Sequence, residues 1–133
     1  MDKKFGKILA EISLGELFDK ITILEIKKSK IKDKDKLNNI ENELNSLNDT
    51  LKKNGLIDKD NKLKNLIEDL KNINNELWVI EDSKRLAEKN KNFDEKFIQL
   101  ARDVYKKNDL RAKIKFEINN YLGSNIKEVK SYN

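Results

Sequence analysis

Apolar residues at helical spacing begin at Leu14 and predict a first helix over residues 14–31. Leu17, Ile21 and Leu24 follow one another at steps of four and three residues, which places them on one helix face. Further apolar side chains on this segment cover most of the helix circumference, a pattern that predicts burial on more than one side. We therefore expect the rest of the fold to pack around this helix.

The start of this helix has a clear capping signal in the sequence Ile-Ser-Leu-Gly-Glu-Leu, residues 12–17. Ser13 is expected to accept a hydrogen bond from the backbone N–H of Glu16, while the Glu16 carboxylate reaches back to the N–H of Ser13. Ile12 and Leu17 are expected to close a hydrophobic staple over the same turn. Together these signals predict that the helix begins at position 14.

Two seams of leucine and isoleucine predict a second helix over residues 35–53 and a third over 61–89. Asp33 or Asp35 can cap the second helix, and Asn54-Gly55 ends it with a left-handed C-cap signal. Because a short polar connection joins the two helices, we predict that they pair as an antiparallel hairpin with coiled-coil-like packing. The seam residues are Leu37, Ile40, Leu44, Leu47 and Leu51 in the second helix and Leu63, Leu66, Ile67, Leu70, Ile73, Leu77 and Ile80 in the third.

A fourth helix is predicted over residues 93–122, because Asn92 precedes Glu95 by the three residues of a capping box. Asn108-Asp109 leaves open whether this helix is continuous or split, and Gly123 is well placed to end it. The tail, residues 124–133, is expected to run extended, with a short strand pair to the N-terminal segment as an alternative. The inner face is expected to hold Phe97, Leu100, Ala101, Val104, Leu110, Ile114, Ile118, Tyr121 and Leu122.

These elements predict an all-α fold in a single domain over residues 1–133, in which the hairpin packs with the N-terminal and C-terminal helices as a four-helix-type bundle. Charged residues make up 40% of the chain and hydrophobic residues 37%, and there is no proline. That balance is typical of long helices with solvated outer faces. The net charge is +5, but acidic residues alternate with the lysines, so no basic stripe for nucleic acid is expected.

Composition also limits the chemistry that the chain can perform. It contains no cysteine and no histidine, which excludes disulfides, thiolate chemistry, imidazole bases and ordinary zinc sites. We predict no catalytic, cofactor-binding or metal-binding residue. No apolar run approaches the roughly 20 residues of a membrane-spanning helix, and residues 1–6 lack a secretory pattern. The expected location is therefore cytoplasmic, without a membrane partner.

One carboxylate on the first helix is predicted to be buried. At about 100° per residue, Glu25 falls between Phe18 and Ile21, inside the apolar arc. A buried charge must find a cation or hydrogen-bond donors, and a planar guanidinium suits this pairing best. We expect Glu25 to be largely buried and to contact Arg111 or Arg102; the alternative is a carboxylate at the edge of the packed face.

Several segments resemble an uncharacterised bacterial and phage family, domain of unknown function 6165. The resemblance implies a compact helical protein with no assigned activity, so no catalytic residue is carried over from it. It also implies an association of some relatives with surface-polysaccharide genes. The matching segments are Glu11–Lys27, Leu77–Asp82, Phe97–Tyr105, Asn108–Ala112, Leu122–Ser124 and Glu128–Tyr132.

The family-like segments place many polar residues near the two ends of the chain, which a bundle can bring together. We predict a polar cluster built from the first helix, the region around Arg111 and the tail, including Glu128, Lys130 and Tyr132. This cluster is either a site or a structural anchor for the tail. Its predicted members are Glu16, Asp19, Lys20, Glu25, Asn108 and Arg111.

Two function classes follow from these expectations. The first is a non-enzymatic interaction or adaptor protein, with self-association as a homodimer that buries Ile23, Ile26 and Trp78. The second is a small-ligand-binding or accessory protein of sugar or nucleotide-sugar metabolism that uses the polar cluster. Trp78 itself is expected to be a core or interface aromatic, with a ligand platform as the alternative. A deep pocket lined by the cluster would favour the second class, whereas a flat surface with internally paired charges would favour the first.

Overall fold

The computed structural model describes residues 4–56 and 60–130, and within these ranges the chain forms four α-helices and no strand. The predicted all-α bundle is confirmed, and the strand-pair alternative for the two ends is wrong within the described residues. Residues 131–133 of the predicted tail lie outside them, and the single domain stays a prediction. The helices are α1 (Leu14–Lys30), α2 (Lys34–Lys53), α3 (Asn61–Lys89) and α4 (Glu95–Leu122).

The helix ends follow most of the capping signals. Ser13 caps α1, and its hydroxyl accepts from the N–H of Glu16 at 3.0 Å. Gly55, with φ of 68°, and Gly123, with φ of 67°, adopt the left-handed conformation that ends α2 and α4. The cap of α4 is Asp94 rather than Asn92, because the Asp94 carboxylate accepts from the first free N–H groups of that helix. This helix runs unbroken through residues 108–109.

Helix α1 is the centre of the fold, since each of the other three helices packs on it. On one side, its apolar face meets the leucine seam of α2. On another side, Phe18 meets the beginning of α3 and the end of α4. The first cluster contains Leu17, Ile21, Leu24, Ile40 and Leu44, and the second contains Phe18, Leu63, Leu66, Leu70 and Ile118. The predicted burial of α1 on more than one side is therefore confirmed.

The predicted pairing of α2 with α3 is wrong. These two helices share no pair of Cα atoms within 8 Å, and α3 instead packs along α4. Leu70 lies against Ile118, whereas Glu76, further along α3, pairs with the earlier Lys107 at 2.8 Å, so α3 and α4 are antiparallel. The α2 seam is buried on α1, and the α3 seam is buried between α1 and α4, because α1 is apolar on both sides.

An open cleft of about 320 Å³ separates α2 from α3 above α1. Only Leu51 of α2 packs against both apolar clusters. Side chains of all three helices line the cleft, among them Phe18, Ile21, Glu25, Leu44, Leu63 and Ile67. The cleft occupies the place where the predicted hairpin would have had its contact.

Helices α3 and α4 extend beyond α1 as a two-helix arm. No residue from Trp78 to Ile114 is buried. Ala101, Leu110 and Tyr121, which were expected to face inward, are exposed. The Tyr121 hydroxyl donates to Asp60 at the start of α3. None of the helices in the described ranges has the length and apolar character needed to cross a membrane.

Candidate functional site

A buried carboxylate lies where α1, α3 and α4 meet. Asp19 is 1% exposed, and Arg111 of α4 donates to it twice, from Nε to Oδ1 at 2.9 Å and from Nη2 to Oδ2 at 2.5 Å. From α3, Asn74 donates through Nδ2 to Asp19 Oδ1 at 2.9 Å and to Thr22 Oγ1 at 3.0 Å. The Asp19 side chain therefore connects three helices through direct hydrogen bonds.

One buried face of α1 brings Asp19 into this position. Gly15, Asp19, Thr22 and Ile26 recur at steps of four, three and four residues, and all four are buried. The Gly15 N–H donates to Asn119 Oδ1 at 2.6 Å, and a Cβ atom at position 15 would lie 2.5 Å from the main-chain carbonyl oxygen of residue 115. The absence of a side chain at Gly15 thus lets α4 approach α1 closely enough for the polar contacts.

Lys115 forms the second half of the cluster. Its Nζ lies 2.7 Å from Glu16 Oε2, 3.1 Å from Glu128 Oε2 and 3.6 Å from Asp19 Oδ2. Lys130 adds a contact of 3.1 Å to the other oxygen of Glu128. Lys115 therefore holds the tail against α1 and α4. Because the Glu16 carboxylate contacts Lys115, it does not bond to the N–H of Ser13, and that half of the predicted capping box is wrong.

Burial and pairing have opposite effects on the ionisation of this cluster. Burial raises the pKa of Asp19, but the hydrogen bonds from Arg111 and Asn74 outweigh it and lower the pKa overall. Burial lowers the pKa of Lys115, but the hydrogen bonds to Glu16 and Glu128 outweigh it and raise the pKa overall. The hydrogen bond from Lys115 also lowers the pKa of Glu128. These shifts move the pKa values of Asp19, Lys115 and Glu128 away from neutrality.

The N-terminus of α1 is occupied by side chains. The N–H groups of residues 14–16 donate to the side-chain oxygens of Ser124, Asn119 and Ser13, at 3.2, 2.6 and 3.0 Å. Free N–H groups at a helix N-terminus are what binds phosphate and other anions. Since these three already have acceptors, this end of α1 is part of the packing between helices and tail.

Four of the six residues predicted for the polar cluster come together. Glu16, Asp19 and Arg111 are members of the network, and the Asn108 side-chain oxygen accepts from Arg111 Nη1 at 3.4 Å. Lys20 lies at its edge, with Nζ 3.7 Å from Glu16 Oε1. Of the tail residues, Glu128 and Lys130 belong to the network, while Tyr132 lies outside the described residues.

Glu25 is not part of this cluster, and the prediction of its burial against Arg111 or Arg102 is wrong. Its side chain is 40% exposed and lies 3.5 Å from Lys71 Nζ. Arg111 contacts Asp19 instead, and Arg102 is exposed. The physical reason is the cleft between α2 and α3, which leaves the Glu25 side of α1 open to solvent.

The sequence contained signals for the members that the prediction missed. Arg111, Lys115 and Asn119 recur at four-residue steps, so they form one polar stripe on the side of α4 that faces α1. Asn74 lies four residues after Leu70 and three before Leu77, so Asn74 itself occupies a seam position of α3. A polar residue at such a position requires a partner when it is buried.

Two open clefts of about 370 Å³ each flank the cluster. One lies between α4 and the tail and is lined by Lys115, Asn119 and Glu128; the other is lined by Trp78, Asn74, Arg85 and Arg111, among others. Asp19 lines neither cleft. Within the described ranges, every buried side-chain nitrogen and oxygen has a hydrogen-bond partner, and no group of three or more acidic side chains is placed to hold a metal ion.

Comparison with known proteins agrees with the resemblance seen in the sequence. A family model described as a family of unknown function, DUF6165, matches residues 8–133. No curated protein and no solved structure matches the chain.

Proposed function

The chain belongs to the family of unknown function DUF6165, and on that premise we propose that it is a non-enzymatic helical interaction protein. The observation that supports this most directly is the internal pairing of the Asp19 cluster. Arg111 and Lys115 use their donors on Asp19, Glu16 and Glu128 rather than on solvent. In this proposal, the cluster is a clamp between α1, α4 and the tail.

The exposed apolar residues of the α3–α4 arm support the same proposal. No residue of the arm from Trp78 to Ile114 is buried. Its exposed apolar side chains include Val79, Leu86, Phe93, Ile98 and Tyr105. Exposed apolar side chains of this kind are available for contact with another protein. The patch predicted from Ile23, Ile26 and Trp78 has to be revised, because Ile26 is part of the buried core.

A thermal-shift screen against nucleotides, sugar nucleotides and divalent cations tests this proposal. A ligand that binds only the folded chain must raise the melting midpoint. We expect no shift from any of these compounds. A midpoint rise in the wild type that is absent for Arg111→Lys would overturn the proposal, because it would assign the cluster to ligand binding. Arg102→Lys, at an exposed arginine of the same helix, is the matched control.

One observation favours a second candidate function, the binding of a small ligand. The cleft beside the cluster is lined by Trp78 together with Arg85 and Arg111, and ligand pockets pair an apolar wall with a few polar groups. Trp78 is the single tryptophan of the chain, so its fluorescence reports on this cleft. A change in this fluorescence that depends on the concentration of an added sugar nucleotide would favour this candidate.

A cytoplasmic location and the lack of a nucleic-acid partner stay predictions.

A further inference from the structure

Helix α4 has a second apolar stripe, next to the stripe of Arg111, Lys115 and Asn119 that contacts α1. Ile98, Ala101, Tyr105, Ala112 and Phe116 follow one another at steps of three, four, seven and four residues. At about 100° per residue they fall within about 60° of the helix circumference. Ile98, Tyr105 and Phe116 are 41%, 57% and 46% exposed, so their burial is not completed within one chain.

Two charges of opposite sign lie along this outer stripe. Arg102 precedes Tyr105 by three residues and Asp109 follows it by four. Both are exposed, and neither has an ion-pair partner among residues 4–56 and 60–130, in contrast to Arg111 and Lys115 on the inner side of the same helix. The outer stripe therefore offers apolar contacts together with one available cation and one available anion.

Ile98 and Phe116, at the two ends of the stripe, each lie nine residues from position 107. In an antiparallel contact between two copies of α4 centred there, Ile98 faces Phe116 and Tyr105 faces Asp109 of the other copy. Arg102 then lies about 4.5 Å along the axis from the other copy's Asp109, at 1.5 Å per residue, which is within reach of an ion pair. A two-fold contact forms each of these pairs twice.

We propose that the outer stripe of α4 packs against the same stripe of a second copy of this chain, in an antiparallel two-fold dimer. This inference rests on the proposed interaction function and names its partner. Charge complementarity favours the antiparallel arrangement, because a parallel one would place Arg102 opposite Arg102 and Asp109 opposite Asp109. The small side chains of Ala101 and Ala112 allow the helices to approach closely.

The dimer also accounts for the absence of buried residues in the arm. Within one chain, none of the residues from Trp78 to Ile114 is buried, although Arg111, near the end of this segment, contacts Asp19 of α1. Apolar burial supplies most of the stability of a helix in a protein. A second copy of α4 along the outer stripe covers Ile98 and Tyr105 and brings a third and a fourth helix to the arm.

Sedimentation equilibrium of the full chain over a range of concentrations tests this dimer. We expect the wild type to dimerise and Ile98→Glu to raise the dimer dissociation constant by roughly tenfold or more, which corresponds to about 1.4 kcal/mol. Leu110→Glu is the matched control, because Leu110 is 45% exposed but lies on a different side of α4. Circular dichroism of both variants verifies that the helices remain folded.

Charge reversal provides a second test that does not alter the apolar residues. We expect Arg102→Asp and Asp109→Arg each to weaken the dimer, and the double variant to recover it because both pairs are re-formed with opposite polarity. A wild type that is monomeric at every concentration overturns the dimer. A dimer that is unaffected by Ile98→Glu and by both single reversals overturns the assignment of the dimer contact to the outer stripe of α4. Either result is independent of the ligand screen, in which a positive outcome overturns the proposed function instead.

Discussion

Arg111 holds the buried carboxylate of Asp19 with two parallel hydrogen bonds, at 2.9 Å and 2.5 Å. The two residues are separated by 92 positions in the chain, so this pair connects the first helix to the last. A bidentate pair of this kind fixes direction as well as distance. Because Asn74 donates to the same carboxylate, the orientation of α3 depends on Asp19 as well.

Asp19→Asn is expected to destabilise the protein by about 3 kcal/mol, the lower end of the range for breaking a buried ion pair. The change keeps the shape of the side chain but leaves Arg111 and Lys115 without their buried carboxylate. Urea unfolding, monitored by circular dichroism, measures the loss in the free energy of unfolding. Asp69→Asn, at an exposed position of α3, should change the free energy of unfolding by no more than about 0.5 kcal/mol. Equal losses in the two variants would contradict the assignment of Asp19 as the central contact.

The stability of the wild type should fall as the pH decreases below about 4. The pKa of Asp19 in the folded protein lies below its ordinary value of 3.8, so the unfolded chain takes up the proton first. The contribution of Asp19 is therefore fully present above pH 3.8 and is lost as the pH falls towards the folded-state pKa. Urea unfolding at a series of pH values should show the difference between wild type and Asp19→Asn shrinking over this range. A difference that stays constant with pH would contradict the prediction.

The helices themselves could be predicted because their signals are local. The repeat of Leu17, Ile21 and Leu24 and the caps at Ser13, Gly55 and Gly123 depend on residues within a few positions of each other. The partners of the helices could not be predicted in the same way. A leucine seam indicates that a helix has one apolar face, but α1 offers two such faces, and either can cover a seam.

The same limit explains why the buried carboxylate was assigned to the wrong residue. Asp19 and Glu25 both lie on a helix that is apolar around most of its circumference, so the helical wheel alone does not separate them. Helices α3 and α4 close over the Asp19 side, where Gly15 allows a close approach. On the Glu25 side, the cleft between α2 and α3 stays open. The choice between the two residues thus depended on a helix pairing that sequence periodicity does not contain.

Glu25→Gln is expected to change the free energy of unfolding by less than about 0.5 kcal/mol, because exposed ion pairs contribute little. The Glu25 and Lys71 side chains are 40% and 46% exposed, and their charged atoms are 3.5 Å apart. Urea unfolding at low and moderate salt measures the effect, with Lys71→Gln as the companion variant. A loss as large as that of Asp19→Asn would show that the cleft beside Glu25 is closed in solution.

Gly15→Ala is expected to destabilise the protein by about 1–3 kcal/mol, the usual cost of overpacking. An added Cβ would lie 2.5 Å from the main-chain carbonyl oxygen of residue 115 and 2.9 Å from Asn119 Oδ1, so α4 would have to move away from α1. This movement would lengthen the bond from the Gly15 N–H to Asn119 and loosen the Asp19 cluster. Thermal and urea unfolding measure the loss, with Gly6→Ala as the control because nothing lies within 4 Å of a Cβ atom there. Alanine favours helix formation over glycine, so a stabilised Gly15→Ala would contradict the prediction and show that helix propensity outweighs the close approach of α4 to α1.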